Sequence, residues 1–220
     1  QVGVAFVDPE QESLFGGGAV LAVCAANGCA VFEGEEVAAP FARLVAQGSF
    51  AALDVKAALH RIYPSDSSAT ALVDDAQLMA MRAFDLGLAG YVLNSSVSEY
   101  SFDALLDAYV GGVLPEAKTD EQRACAQAAA ARVLVGPLTA ALEREGSARA
   151  YFDIDLPLVA VLAIMERTGA AIDADRLAEL GASTGAELEG LRAQIYELAG
   201  EEFNVDSPKQ LGHILFEVLG

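Results

Sequence analysis

Residues 1–150 read as an α/β or α+β domain, and residues 151–220 as an all-helical segment. Three features of the 220-residue sequence lead there. Short apolar runs separated by turn residues fill positions 2–33, and Asn27-Gly28 is a strong hairpin signal between two of them. From Pro40 onward the apolar residues recur at helical rather than strand-like spacing. Beyond about Ala150, helical patterns with their own start and stop residues dominate. Mixed strands followed by many helices are the mark of an α/β or α+β domain.

The elements follow in order. Val2–Val7 is a strand, stopped by Asp8-Pro9. Gly16-Gly17-Gly18 is a loop that lacks the Lys-Ser/Thr of a P-loop and the Gly-x-x-Gly of a dinucleotide turn. Residues 19–25 and 30–32 are strands of a meander joined at Ala26-Asn27-Gly28. Residues 40–47 put Phe41, Leu44 and Val45 on one helix face, 50–53 form a short strand, and 55–62 return to helical spacing through Ala58, Leu59 and Ile62. Residues 64–68 are a loop by composition. Residues 75–93 read as one helix with Leu78, Met81, Phe84, Leu88, Tyr91 and Val92 on a face, weakened by Gly87 and Gly90 at about 1 kcal/mol each relative to Ala. Ser101 caps a helix over 101–109. Residues 119–145 form a long Ala-rich helix with a break expected at Gly136-Pro137. Residues 154–168 are helical, and Gly169 ends them. Asp173 caps Ala174–Ala199, whose leucines recur at close to heptad spacing and call for a partner helix. Ser207 and Pro208 open a last helix as N-cap and first helical residue.

Composition bounds the function. The chain has 32 acidic and 13 basic residues, a net charge of −19, and 54% hydrophobic residues. So much apolar material excludes an acidic disordered chain. The charge argues against broad binding of a phosphate backbone, which needs clustered Lys and Arg. The nearly uncharged stretches 16–32 and 124–142 are interrupted by glycines, or by Arg132 and Pro137, so no membrane span is expected. The start lacks a basic leader, and a first residue of Gln1 suggests an excised fragment. Cys24, Cys29 and Cys125 make no disulfide framework and are expected to be buried reduced thiols in a cytoplasmic protein. His60 and His213 stand alone on helices as structural side chains, and Glu33, Glu35 and Glu36 as a solvated face.

The C-terminal block carries a resemblance. Asp155-Leu156-Pro157-Leu158-Val159-Ala160-Val161-Leu162, Met165-Glu166-Arg167-Thr168-Gly169 and Ile172-Asp173 resemble the bacterial family A DNA polymerases. So does the run from Ala199-Gly200-Glu201-Glu202-Phe203-Asn204 through Val205-Asp206-Ser207-Pro208-Lys209-Gln210-Leu211, and so does Ile214-Leu215-Phe216-Glu217. In that family these segments lie just before and within the base of the thumb. Phe84-Asp85-Leu86 with Gly90-Tyr91-Val92-Leu93-Asn94, and Ser101-Phe102-Asp103-Ala104-Leu105, are similar to segments of the family's 3′–5′ exonuclease domain. The resemblance implies an α/β, RNase H-like exonuclease-like domain, a mixed sheet flanked by helices, over 1–150. It implies the thumb-base start of the polymerase domain over 151–220.

A two-metal exonuclease needs several carboxylates to hold paired cations. The family's Asp-x-Glu signal has a counterpart in Asp8-Pro9-Glu10, where two carboxylates at a strand end could share a cation; an acidic turn is the other reading. The second signal falls on Asp54 and Ala58, and the third on Ala124 and Ala128 of Arg123–Ala131. Ala58, Ala124 and Ala128 therefore stand where the family carries Asp, Tyr and Asp, and alanine cannot ligate. The resemblance implies an inactive exonuclease-like scaffold with no bound metal, the alternative being an active exonuclease built on Asp8, Glu10 and a third ligand elsewhere. Asn204, Ser207 and Lys209 fall where the thumb meets duplex DNA, at a helix start suited to a phosphate. The parent enzyme is expected to use Mg²⁺ and a DNA primer-template, with weak or no DNA binding by this stretch alone.

Overall fold

The computed structural model describes residues 1–8 and 18–220. Glu10 and the first two glycines of the 16–18 loop lie outside them. By packing, the chain divides into two compact units, Gln1–Gly169 and Ala170–Gly220.

In the first unit, five strands among the described residues form one mixed sheet in the order β3-β2-β1-β4-β5. They are β1 (Val2–Val7), β2 (Val20–Ala25), β3 (Gly28–Glu33), β4 (Ser49–Ala52) and β5 (Arg82–Asp85). The first three form the antiparallel meander expected from the sequence, turning at Ala26-Asn27 with Gly28 at φ +147°. β4 and β5 add in parallel on the other side of β1.

The helices of this unit are α1 (Ala38–Gln47), α2 (Val55–Leu59), α3 (Asp75–Met79), α4 (Leu86–Leu93), α5 (Phe102–Val110), α6 (Asp120–Arg144) and α7 (Leu156–Thr168). Strand alternation sorts the sheet's side chains by size. Val4, Leu21 and Phe50 point to one face, where they pack with Phe41 and Val45 of α1, Leu59 of α2 and Val159 of α7. The opposite face carries Gly3, Ala5, Ala22, Cys24 and Ala51 beneath α6. α6 meets this small-residue face with its own alanines: Ala124, Ala128 and Ala131 are fully buried. The approach is so close that a Cβ on Gly3 would lie 1.8 Å from the Ala128 carbonyl oxygen.

Several expectations are corrected. Residues 75–93 are not one helix but α3, β5 and α4 in succession. The apolar spacing fits a helix, yet Arg82–Asp85 gains a parallel ladder with β4, and Asp85 starts α4 as its N-cap. Gly87 is required there, because a Cβ would sit 2.8 Å from the Leu53 carbonyl oxygen. α6 runs unbroken through Pro137. The proline leaves the Val133 carbonyl without its helical donor, but Val133 is exposed, so water reaches that turn. α6 is also long and apolar enough to cross a membrane by length and composition, yet its apolar side, through Leu134, Leu138 and Leu142, is the buried core of this unit. Cys24 and Cys29 are joined as a disulfide across the β2–β3 hairpin, and Cys29 is exposed, where separate buried thiols were expected.

α7 packs with the first unit. A π-helical turn, Ala150–Asp155, leads into it. Glu166 pairs with Lys56 of α2 and with His60 just after it. The Arg167 guanidinium donates to the carbonyls of Pro64, Asp66, Ser67 and Ala69 and lies over the Tyr63 ring. One cation thus satisfies most of the turn of the 64–69 loop, which has no ladder of its own.

A single carboxylate organises the middle of this unit. Asp85, 5% exposed, accepts from Val55 N through one oxygen and from Leu88 N through the other, both at 2.8 Å. These are first-turn amides of α2 and α4, which would otherwise be orphaned. The buried Tyr151 hydroxyl closes the arrangement, accepting from Asp85 N and donating to Asp85 O, each at 2.9 Å. Burial pushes the Asp85 carboxyl up to about 6, against the pull of the Leu88 and Val55 amides.

In the second unit, α8 (Ala174–Ala199) starts at Asp173, whose side chain accepts from Arg176 N, and ends at Gly200 in the left-handed region. α9 (Pro208–His213) continues into a π-helical turn, Ile214–Val218. The chain folds back through the Tyr196–Phe203 ring contact and an Arg192–Asp206 ion pair at 3.2 Å. Leu177, Leu180, Leu188 and Leu191 of α8 are exposed, as befits a helix patterned for a partner.

Two outcomes follow. Gly3→Ala should lower stability by about 1–3 kcal/mol or more in urea unfolding, because α6 must lift from β1; a neutral result would contradict the close approach. Asp85→Asn offers one acceptor for two amides and should cost about 1–3 kcal/mol at pH 4. The folded carboxyl is raised from 3.8 to about 6, so its contribution is full below pH 3.8 and is lost as pH rises through about 6. The stability gap to Asp85→Asn should therefore narrow between pH 4 and pH 7, and a pH-independent gap would contradict the assignment.

Candidate functional site

The end of β1 is the first place to look. Asp8 follows the strand directly and is exposed. Arg61, in the turn after α2, reaches back to it as a two-pronged partner: Nη1 donates to Oδ1 at 2.8 Å, and Nη2 donates to Oδ2. The guanidinium also lies over the Phe6 ring, 5.2 Å from its centre. Arg61 holds the Asp8 carboxyl below the usual carboxylate range, mainly through its hydrogen bonds. The arginine therefore occupies the coordination side of this carboxylate.

Next to the pair is a cleft of roughly 300 Å³ lined by Phe6, Asp54, Ala58, Arg61 and Gln127 among others. Asp54 is engaged as the N-cap of α2, accepting from Ala57 N at 2.8 Å. Ala58 is buried in the core on the α1 face. Ala124 and Ala128 are buried against β1 and β2 and present no polar atom. Among the described residues, no three His, Cys, Asp or Glu side chains stand close enough to hold a metal ion.

Asn204, Ser207 and Lys209 do come together at the start of α9 in the second unit. The Asn204 side chain accepts from Asp206 N at 3.0 Å, and Asn204 N donates to the Gln210 side chain at 2.8 Å. Ser207 caps the helix toward Gln210 N. Lys209 is exposed. Two of the three thus build the turn, and the lysine supplies the cation.

Sequence reasoning missed Arg61 as the partner of Asp8. Its place three residues beyond Ala58, near the end of a short helix, was the available signal. Asp85 was quoted only as part of a motif, although an Asp just before Leu-Gly is a plausible helix cap.

DNA polymerase I of Geobacillus stearothermophilus is 35% identical over 151 residues, 62% of this chain and 17% of that protein. DNA polymerase I of Pseudomonas aeruginosa is 36% identical over 157 residues, 63% of this chain and again 17% of that protein. DNA polymerase I of Lactococcus lactis is 57% identical over 67 residues, 30% of this chain and 8% of that protein. The fold is similar to the POL domain of Pol1 from M. smegmatis in complex with DNA primer-template and dNTP, with a TM-score of 0.73 and 25% identity over 99% of this chain and 37% of that one. The chain is thus similar to one stretch of the bacterial DNA polymerase I proteins. No family model matches it. The chain spans about a sixth of the length of the first two relatives, at 17% each.

Arg61→Ala should return the Asp8 carboxyl upward toward the ordinary carboxylate range. A carboxyl-carbon NMR titration reads it, and an unmoved Asp8 would show that Arg61 is not its controlling partner.

Proposed function

We propose that this chain is the part of a family A DNA polymerase that carries a 3′–5′ exonuclease-like domain of RNase H-like type over residues 1–150, followed by the start of the thumb base over 151–220. The exonuclease-like domain is catalytically dead and serves as a scaffold. The observation that carries the proposal is the capture of Asp8 by Arg61 beside buried alanines at 58, 124 and 128. A mixed sheet flanked by helices, the likeness to the DNA polymerase I proteins and the order of the motifs support it.

Among the described residues, the donor set does not fit two hard cations. Such a site needs several free carboxylate oxygens around each ion. Asp8 is already neutralised by a guanidinium, Asp54 is spent on a helix amide, and the alanines offer nothing. The whole polymerase is proposed to extend a DNA primer on a template with Mg²⁺ held in parts of the enzyme outside this chain, and to act in the cytoplasm. The M. smegmatis neighbour was solved with DNA primer-template and dNTP, which supports that partner. Lys209, beside Asn204 and Ser207, is proposed to touch the duplex backbone in the parent; with a net charge of −19, the chain alone should hold DNA weakly or not at all.

The test is incubation of the purified chain with end-labelled single-stranded DNA and Mg²⁺ or Mn²⁺. The expected result is intact DNA at every metal concentration. Degradation that disappears in Asp8→Ala would instead establish an active exonuclease using Asp8, Glu10 and a third ligand outside the motif positions.

A further inference from the structure

Cys24 and Cys29 are register partners across the β2–β3 hairpin, with Cα atoms 4.0 Å apart. The flanking pairs, Val23 with Ala30 and Ala25 with Gly28, hold that register without help from sulfur. A bond that closes only residues 24–29 restrains the unfolded chain less than one closing a long loop, because the entropy of loop closure grows with loop length. The hairpin register therefore does not depend on the bond.

The surroundings suit a reversible bond. Cys24 is buried, whereas Cys29 lies exposed on the edge strand β3. The Cys125 carbonyl oxygen, on α6, lies 3.5 Å from Cys24 Sγ and 3.9 Å from Cys29 Sγ. It offers an acceptor for an S–H when the bond is open, so the reduced pair is satisfied as well as the oxidised one.

We infer that Cys24–Cys29 is a redox modification site, a dithiol–disulfide latch on the sheet edge, opened and closed by small thiols and disulfides through Cys29. In closing, the Cys29 thiolate attacks a small disulfide R–S–S–R, forming a mixed Cys29–S–S–R bond and releasing one R–S⁻. Deprotonated Cys24 then attacks Cys29 Sγ, forming the Sγ–Sγ bond and releasing the second R–S⁻. Two protein thiols lose two electrons and two protons, and R–S–S–R is reduced to two R–SH. Opening reverses these steps.

The experiment equilibrates the whole chain in glutathione buffers of different poise, then quenches, alkylates under denaturing conditions and digests with trypsin. The first basic residue is Arg43, so Cys24 and Cys29 share peptide 1–43, while Cys125 falls alone in peptide 124–132. Peptide 1–43 should carry two alkyl groups from reduced buffer and none from oxidised buffer, and regain both on return to reduced glutathione. Peptide 124–132 should keep its single group throughout. Cys24→Ser should leave Cys29 holding glutathione as a mixed disulfide. Cys29→Ser, at an exposed position expected to fold, should leave one alkylated thiol on peptide 1–43 in every buffer. Two alkyl groups on that peptide in oxidised buffer, a Cys29–Cys125 bond in the native chain, or a bond that reduced glutathione cannot open would each overturn the proposal.

Discussion

The packing of α6 on β1 is the constraint from which the first unit is built. Backbone can come this close only where side chains are nearly absent, so the sheet face beneath α6 is restricted to Gly3, Ala5, Ala22, Cys24 and Ala51, and the helix answers with alanines. The volume missing on this face is recovered on the other, where Phe41, Phe50, Leu21 and Leu59 fill the space under α1, α2 and α7. The composition reflects the division: much hydrophobic material, few aromatics and no Trp. It also explains how an Ala-rich helix of low individual burial area can anchor a core. Dense contact between small groups recovers in dispersion what each lacks in area.

The same packing shapes the neighbourhood of Asp8. A cleft between a strand end and two helices must either hold charge or cancel it. Here the cancelling group comes from the protein itself, with Arg61 folded over Phe6 to meet the carboxylate. At an exposed position such a pair adds little to stability. Its consequence is chemical, since the carboxylate oxygens are already occupied by N–H donors. A proposal of lost exonuclease chemistry thus rests on occupied acceptors as well as on absent ligands.

Much of this was legible in the sequence. The meander over 2–33, the caps at Ser101, Asp173 and Ser207 and the stop at Gly169 are local signals, and each element formed where local chemistry placed it. The errors were non-local. β5 lies within a helical apolar pattern, and only its ladder with β4, some thirty positions earlier in the chain, makes it a strand. Pro137 is tolerated because the turn it disturbs faces water, which no spacing rule reveals. The Cys24–Cys29 pairing follows from hairpin register: the turn falls at Ala26-Asn27, which puts residues 24 and 29 opposite each other. A two-residue turn at Asn27-Gly28, the dipeptide that stands out in the sequence, would instead have put residue 24 opposite residue 31. At the candidate site, the alanines at 58, 124 and 128 were visible as residue types, whereas Arg61 was not, because its meeting with Asp8 depends on the parallel placing of β4 beside β1.

Asp85 carries a further consequence. Its two oxygens serve the first turns of different helices, α2 and α4, and its own backbone is clasped by Tyr151 at the entry to α7. Neither helix is long enough to persist alone in water. Fraying of either start leaves half of a buried carboxylate unsatisfied, and so weakens the other. Three segments far apart in sequence are thereby tied into one cooperative opening unit, whose amides exchange with solvent together rather than helix by helix.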